Sequence, residues 1–180
     1  MRYKGEVMAV DAAAFRRALG QFATGITVVT TRDATGRPAG LTVNSFCSVS
    51  LDPPLVLMCV HHRSDVDTAL GPDGLFGISV LHEGQEEWSR RFASGGAAKF
   101  EGEPLITGPH GMLLVPGAIA QLECRVRAGH PEGDHTIWVG EVLGLEVAPG
   151  RPLLFHGSAY RRLDGEGAIA QSGARTPNRV

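Results

Sequence analysis

The stretch from Gly40 to Pro54, GLTVNSFCSVSLDPP, constrains the fold more than any other part of this chain. We predict one extended strand here, ending in a proline corner. The short polar residues of one parity are Thr42, Asn44, Ser48 and Ser50. The apolar residues of the other parity are Leu41 and Val43 and, after a break in the pattern at Ser45–Phe46, Cys47, Val49 and Leu51. Because successive side chains of a strand point to opposite faces, the pattern predicts one apolar face and one row of small hydrogen-bonding groups.

That polar row has two interpretations. Short side chains let a ligand approach the backbone, and hydroxyl and amide groups can bind phosphate or carbonyl oxygens without carrying a charge. A flat apolar ring with a phosphorylated polyol tail would suit such a surface. A solvated strand face, on which Thr and Ser are common, is the other interpretation, and alternation alone favours it.

The rest of the chain is rich in turns and strands. The 24 glycines and 11 prolines indicate many tight turns between about seven or more strands. Helices do not alternate with the strands, so a doubly wound parallel sheet fits badly. We predict a mainly β fold, a closed or partly closed antiparallel barrel with a few short helices, over residues 1–163. The Gly/Ala/Ser-rich residues 164–180 are predicted to form a flexible C-terminal tail.

Several elements can be placed from the sequence. We predict a helix from Asp11 to Gln21 with Asp11 as its N-cap, and a buried central strand from Leu55 to Val60. Met112 to Val115 and Ala118 to Ala128 are predicted to form an apolar hairpin. The strand His135 to Val147 follows a turn.

Two further helices bear on function. A helix from Glu83 to Ala93 would place Trp88 and Phe92 in the core at helical spacing. A short helix that begins at Ser64 would leave free N–H groups able to hold an anion, which makes Ser64 a candidate phosphate ligand. A plain N-cap is the alternative role of Ser64 and is much the commoner one.

Composition excludes several function classes. A net charge of −2 argues against a nucleic-acid partner or an acidic membrane surface. No apolar run approaches the roughly 20 residues that span a bilayer. The first residues lack the apolar segment of a signal peptide, so we expect a cytoplasmic protein whose three cysteines are buried, reduced thiols.

The chemical motifs tested on the chain are absent or weak. Cys59, His61 and His62 do not predict a metal site, because adjacent histidines on a strand point apart and no second ligand pair has suitable spacing. No nucleophile elbow and no phosphate-binding P-loop occurs in the sequence. We therefore predict no metal and no acyl-transfer serine.

Four segments, in order along the chain, resemble a known family. They are FATGITVVT at 22–30, GLTVNSFCSVSLDPP at 40–54, RFA at 91–93 with Lys99–Phe100, and GDHTIWVGE at 133–141. The endings LFHG and YRRL add to the likeness. On these motifs, the chain resembles the short flavin reductases, the reductase components of two-component flavin-dependent monooxygenases.

The resemblance implies a fold and an activity. The fold would be an FMN-binding split β-barrel, antiparallel and of Greek-key type, in a homodimer with flavin near the subunit interface. The activity would be NAD(P)H:flavin oxidoreductase, with NADH or NADPH as hydride donor and FMN, or FAD, as acceptor. Reduced flavin would pass transiently to a partner monooxygenase.

The resemblance also implies site residues. His135 would lie near the nicotinamide as the one catalytic residue, where it orients the ring or stabilises negative charge on the reduced flavin. A turn histidine bonded to backbone is its alternative role. The implied cofactor-binding set is Thr42, Val43, Asn44, Ser45, Ser48, Val49, Ser50, Ser64, Phe92, Ala93, Lys99, Phe100, His135 and Tyr160. The chain departs from the family at Ala97–Ala98, where relatives often carry an acidic residue before the basic one.

Two other functions remain open on the sequence. A flavin- or haem-binding split-barrel module could store or sense its ligand without turnover. An oxidase of the pyridoxamine-phosphate type shares the fold but needs a basic cluster for its substrate, and the middle of this chain is not notably basic.

Overall fold

The computed structural model describes residues 9–164. The helices are α1 Ala12–Leu19, α2 Asp65–Ala69 and α3 Glu86–Ala93, and a 3-10 helix covers Ala97–Phe100. The strands are β1 Thr24–Gly25, β2 Thr27–Arg32, β3 Pro38–Val43, β4 Phe46–Leu51, β5 Pro54–His61, β6 Leu75–Val80, β7 Ile106–Thr107, β8 Leu113–Leu114, β9 Ala120–Glu132, β10 His135–Val147, β11 Leu154–His156 and β12 Ala159–Arg161. Over these residues, no helix has the length and apolar character needed to cross a membrane.

The main sheet has seven antiparallel strands in the order β3-β2-β6-β9-β10-β5-β4. Its two ends curve towards each other, so that β3 contacts β5 across the barrel. A smaller sheet, β1-β11-β12, and the pair β7-β8 complete the strands of the described part. The predicted mainly β, antiparallel split barrel with a few short helices is confirmed. The predicted tail lies, apart from Asp164, outside the described residues.

The prediction of one strand over Gly40 to Pro54 is wrong. The chain breaks at Asn44–Ser45 into β3 and β4, which lie at opposite edges of the seven-stranded sheet. In addition, the β4–β5 register shifts between Ser48 and Ser50. A segment that passes from one edge of the sheet to the other and contains a bulge cannot keep a single alternation of side chains between the two faces, because each extra residue exchanges the faces.

The hydrophobic residues form two cores on the two faces of β2. Val29 belongs to the barrel interior with Met58, Phe76 and Ile78. Val28 belongs to a second core outside the barrel, which contains Leu81, Trp88 and Phe92. Because both faces of β2 are covered, its β-branched run is buried throughout, and α3 is fixed against the outside of the barrel.

Helix α1 has the predicted cap but no core. The Asp11 carboxylate accepts a hydrogen bond from the Ala14 N–H at 2.8 Å, and the helix ends at Leu19, followed by Gly20. None of its residues is buried, and Phe15, Leu19 and Phe22 are 57%, 55% and 73% exposed. Within the described residues, the apolar face of this helix is therefore uncovered.

The predicted hairpin after Met112 is wrong. β8 pairs with β7, while β9 pairs with β6 and β10. The segment before Pro116 is bound to side chains of the barrel: the Val115 N–H donates to Ser79 Oγ at 2.9 Å, and Thr30 Oγ1 donates to the Leu113 carbonyl. These side-chain hydrogen bonds occupy backbone groups that a hairpin would have paired.

Two smaller predictions are corrected. β5, predicted to be central, is the second strand from one edge, next to β4. The three cysteines are free thiols, but only Cys124 is buried, and burial raises its pKa to about 12. Cys47 is exposed because β4 is an edge strand.

Candidate functional site

A pocket of about 210 Å³ opens where the end of β3 meets α3 and the β11-β12 pair. We call it the hydroxyl pocket; its lining residues are Ile26, Thr42, Asn44, Ser89, Ala93, Phe155 and Tyr160. It brings together Thr42, Asn44, Ala93 and Tyr160, four members of the cofactor-binding set that the family resemblance implied. Its lining combines apolar side chains with short polar groups, as expected for a site that binds a flat heteroaromatic ring.

Ser89 organises this pocket, and the sequence analysis missed it. Thr42 Oγ1 donates to the Ser89 carbonyl at 2.6 Å, and the Ser89 and Tyr160 hydroxyls are hydrogen-bonded at 2.9 Å. The side chain is fully buried. A serine one residue after Trp88, on the buried side of a short amphipathic helix, was the available signal, because a buried hydroxyl needs a polar partner.

The close packing of β3 on α3 depends on Gly40. A Cβ at this position would lie 2.8 Å from Phe92 Cε1 and 3.0 Å from the Val29 carbonyl oxygen. Phe92 is 1% exposed and stacks with Trp88 at 6.1 Å between ring centroids. The core role of the two aromatic rings is confirmed. The Phe92 and Val43 side chains point into the cores, so only the backbone near these two residues is available to contact a ligand.

The β3–β4 junction is anchored to β5 by Ser45. Its hydroxyl donates to the Cys59 carbonyl at 2.9 Å and accepts from the Cys59 N–H at 3.1 Å. Farther along β4, Ser48 and Val49 are exposed and Ser50 accepts a hydrogen bond from the Asp52 N–H. In a single copy, these three β4 residues line none of the pockets described here.

A histidine cluster, formed by His61, Asp134 and His135, lies near this junction. β10 pairs with β5 so that His135 is opposite His61. His61 follows Cys59 by two residues on β5, which corresponds to about 7 Å along the strand. His135 Nδ1 lies 2.6 Å from Asp134 Oδ1, and His61 Nε2 lies 3.7 Å from Asp134 Oδ2. The hydrogen bond with His135 lowers the pKa of the Asp134 carboxyl below its ordinary value.

The cluster leaves one histidine nitrogen available. Since the Asp134 carboxylate only accepts hydrogen bonds, His135 Nδ1 must donate, and Nε2 carries no proton unless the ring is charged. The His135 side chain is 42% exposed, so this nitrogen can face a ligand. The imidazole is held by a carboxylate rather than by backbone.

A second cavity, of about 570 Å³, lies at the other end of β3. We call it the Lys99 cleft; its lining residues are Asp33, Arg37, Pro38, Ala39, Asp65, Thr68, Ala69, Gly96, Ala97, Lys99 and Phe100. Lys99 and Phe100 therefore lie apart from the hydroxyl pocket. Ser64 caps α2 through a hydrogen bond from the Val66 N–H at 3.2 Å, directly before Asp65 of the cleft.

Residues 19–164 match the flavin reductase like domain. The chain belongs to this family. The recognition made from the four sequence motifs is thereby confirmed, and so is the fold class that it implied.

Relatives and solved structures agree with this membership. The present chain is 45% identical over 152 residues to the FMN reductase (NADH) SmoA of Agrobacterium fabrum, and the alignment covers 84% of this chain and 86% of SmoA. It is 38% identical over 157 residues to the flavin-dependent monooxygenase reductase subunit HsaB of Rhodococcus jostii, covering 87% and 80%.

A solved structure gives the same picture. The Streptomyces globisporus NADH:FAD oxidoreductase SgcE6, in complex with NAD and FAD fragments, superposes with a TM-score of 0.81 at 40% identity and covers 88% of this chain and 96% of SgcE6. These relatives bear out the expected enzyme class and its cofactors. The individual residue assignments stay predictions.

Proposed function

We propose that this protein is an NAD(P)H-dependent flavin reductase that reduces FMN or FAD and supplies the reduced flavin to a monooxygenase. Family membership over residues 19–164 supports the reaction class. The observation that carries the proposal to this chain's own residues is the hydroxyl pocket, which unites Thr42, Asn44, Ala93 and Tyr160 from three separate motifs.

The chemistry of this pocket fits part of a flavin. Ile26 and Phe155 supply an apolar wall for a ring face. Asn44 is exposed and its amide offers both a donor and an acceptor, which matches the alternating carbonyl and N–H groups of a flavin's pyrimidine edge. The pocket opens to the surface, so the remainder of the molecule can extend beyond it.

The cofactors carry the redox chemistry, and this chain's residues position them. A bound flavin would supply the redox chemistry, as the acceptor of a hydride from reduced nicotinamide. Holding two rings in a near-attack geometry can contribute on the order of 7 to 11 kcal/mol to lowering a barrier. This is consistent with a hydroxyl pocket whose lining, within residues 9–164, contains no acid–base pair.

We assign His135 to the nicotinamide side of the site. Asp134 fixes the proton on Nδ1, so that Nε2 can accept a hydrogen bond from a ligand such as the carboxamide of nicotinamide. His135→Ala is expected to raise KM for NADH or lower kcat by about tenfold, the effect of one lost hydrogen bond. Unchanged values of both constants would show that His135 has no role. His130→Ala, an exposed histidine on β9, is the control.

The reaction itself is tested by mixing purified protein with NADH and following nicotinamide absorbance. We expect NADH oxidation that depends on added FMN or FAD. A protein that binds flavin without consuming NADH or NADPH would instead be a storage or sensing module, and the proposed activity would be rejected.

We further propose a homodimer located in the cytoplasm. On edge strand β4, Val49 and Leu51 are 43% and 69% exposed, and the apolar face of α1 is uncovered. Burial of such surfaces against a second copy is favourable by about 25 cal/mol per Å² of apolar area. A dimer contact along β4 would also cover Ser48 and bring the second copy close to the β3–β4 junction.

A further inference from the structure

The two histidine rings of the histidine cluster lie side by side and are both accessible. His135 on β10 is opposite His61 on β5, and the rings are edge to face with their centroids 5.1 Å apart. The His61 and His135 side chains are 35% and 42% exposed. A ligand at this end of β5 can therefore contact both rings at once.

The turn after β5 fixes the tautomer of His61. The Arg63 N–H donates to His61 Nδ1 at 3.0 Å, and the Ser64 N–H donates to the His61 carbonyl at 2.8 Å. A ring nitrogen that accepts a hydrogen bond carries no proton, so the single proton of the uncharged ring lies on Nε2. The Oδ2 atom of Asp134 is 3.7 Å from this Nε2, which is beyond hydrogen-bond range. The His61 Nε2–H group is therefore not used up by this carboxylate.

The His135 ring has the opposite tautomer. Its Nδ1 donates to Asp134 Oδ1 at 2.6 Å, so Nε2 of the uncharged ring carries a lone pair. The Asp134 carbonyl in turn accepts from the His62 N–H at 3.0 Å, which holds this turn against the end of β5. Two adjacent rings thus offer one N–H donor, on His61, and one nitrogen acceptor, on His135.

A carboxamide group carries the complementary pair of atoms. Its oxygen accepts hydrogen bonds and its N–H2 group donates them, from adjacent positions of one planar group. Hydrogen bonds of about 2.9 Å on each side allow such a group to bridge two rings whose centroids are 5.1 Å apart. A carboxylate fits less well, because it only accepts and would oppose the lone pair on His135. The histidine pair therefore suits a ring that bears a carboxamide.

We propose that His61 is a second nicotinamide-binding residue, whose Nε2–H donates to the carboxamide oxygen while His135 Nε2 accepts from the carboxamide N–H2. This inference rests on the proposed function, in which His135 binds the reduced nicotinamide. The position of the pair supports it. Ser45, which is bonded to Cys59 two residues before His61, directly follows Asn44 of the hydroxyl pocket.

The two tautomers can be measured without ligand and without turnover. NMR of nitrogen-labelled histidine rings, at mildly alkaline pH where imidazoles are uncharged, reports which ring nitrogen carries the proton. We expect the proton on Nε2 in His61 and on Nδ1 in His135, with the spectra of His61→Ala and His135→Ala assigning the two rings. A proton on Nδ1 of His61 would overturn the proposal, because the ring would then have no donor at Nε2.

Three variants separate the donor from its surroundings. His61→Ala removes the ring, whereas His61→Gln keeps an N–H2 donor at about the same distance from the backbone. His62→Ala, at the exposed next residue, is the matched control. Circular dichroism establishes that each variant folds.

Kinetics with two hydride donors test the assignment of each histidine. The acetylpyridine analogue of NADH keeps the carbonyl oxygen but has a methyl group in place of the N–H2 group. Relative to wild type, we expect His61→Ala to lower kcat/KM about tenfold with both donors, the effect of one lost hydrogen bond. His135→Ala should lower it with NADH and leave it nearly unchanged with the analogue. His61→Gln should retain most of the wild-type value, and His62→Ala all of it.

The analogue also distinguishes direct binding from support of His135. If His61 only oriented His135, the loss in His61→Ala would disappear with the analogue, and that result would overturn the proposal. Wild-type kcat/KM in His61→Ala with both donors would also overturn it and leave the proposed function intact. A wild-type protein that does not oxidise NADH with FMN or FAD would reject the proposed function instead. The comparison would then be made on Kd values for the two donors, and equal values for wild type and His61→Ala would overturn the role of His61 as well.

Discussion

The two halves of Gly40–Pro54 have the same kind of sequence and very different surroundings. β3 is covered on one face by the barrel core and on the other by α3, with Gly40 against Phe92 and Thr42 bonded to Ser89. Within residues 9–164, β4 is paired only with β5 and leaves Val49 and Leu51 exposed. One copy of the chain therefore completes the part of the candidate site that lies on β3, whereas the part that lies on β4 stays exposed.

The largest effect should come from the open side. Val49→Arg combined with Leu51→Arg places two charges on the surface that we assign to the dimer contact, so we expect the protein to change from two copies to one in analytical ultracentrifugation. Leu145→Arg, at an equally exposed apolar position on β10, should leave the mass unchanged. A wild-type protein that sediments as a single copy would refute the proposed contact.

The next effect concerns the hydroxyl pocket, at the end of β3. Ala93→Trp fills the hydroxyl pocket from an exposed position at the end of α3, so flavin Kd should rise at least about tenfold, or roughly 1.4 kcal/mol. Fluorescence titration with FMN and FAD measures it. Glu87→Trp, exposed on the same helix but outside the pocket, should bind flavin like wild type. Unaltered affinity in Ala93→Trp would place the ring elsewhere.

A smaller effect tests the tight contact beneath that pocket. Gly40→Ala introduces a Cβ against Phe92 and the Val29 carbonyl, so the free energy of unfolding should fall by about 1–3 kcal/mol in urea denaturation. Gly25→Ala, where a Cβ would meet nothing within 4 Å, is the control and should change stability little. Equal stability of the two variants would mean that β3 and α3 are less closely packed than described.

The smallest effect is the titration of Asp134 beside the junction. The hydrogen bond with His135 lowers the pKa of this carboxyl, so its stabilising contribution is present above the ordinary aspartate pKa and is lost as the pH falls through the lowered pKa. NMR titration should give a higher pKa in His135→Ala than in wild type. His61→Ala should raise it less, because His61 is 3.7 Å away rather than 2.6 Å.

Local patterns predicted the elements better than their partners. The Asp11 cap, the short helix after Ser64 and the strand from His135 to Val147 follow from residues close in sequence. The pairing of β8 with β7 does not, because hydroxyls of Thr30 and Ser79 from distant strands hold that segment. Pairings between residues far apart in the sequence have little effect on the local alternation of apolar and polar residues.

The candidate site shows the same division. Thr42, Asn44, Ala93 and Tyr160 were predicted from a resemblance of motifs, and the structure places them around one pocket. Ser89 was missed because its importance lies in two partners that are 47 and 71 residues away in the sequence. Lys99 was predicted as a ligand contact, but neither its burial nor its separation from the pocket was visible.

By itself, the sequence determined that the chain is a strand-rich barrel of the flavin reductase family, because turn residues, strand periodicity and motif order are properties of the chain read locally. Only the tertiary structure decided that Gly40–Pro54 is divided between two edges of the sheet. It also decided that some of the predicted ligand contacts lie in two separate cavities, with Thr42, Asn44, Ala93 and Tyr160 in one and Lys99 and Phe100 in the other, about 13 Å away along β3. The physical reason is that edge position, burial and cavity shape arise from contacts between residues far apart in the sequence, which no local pattern encodes.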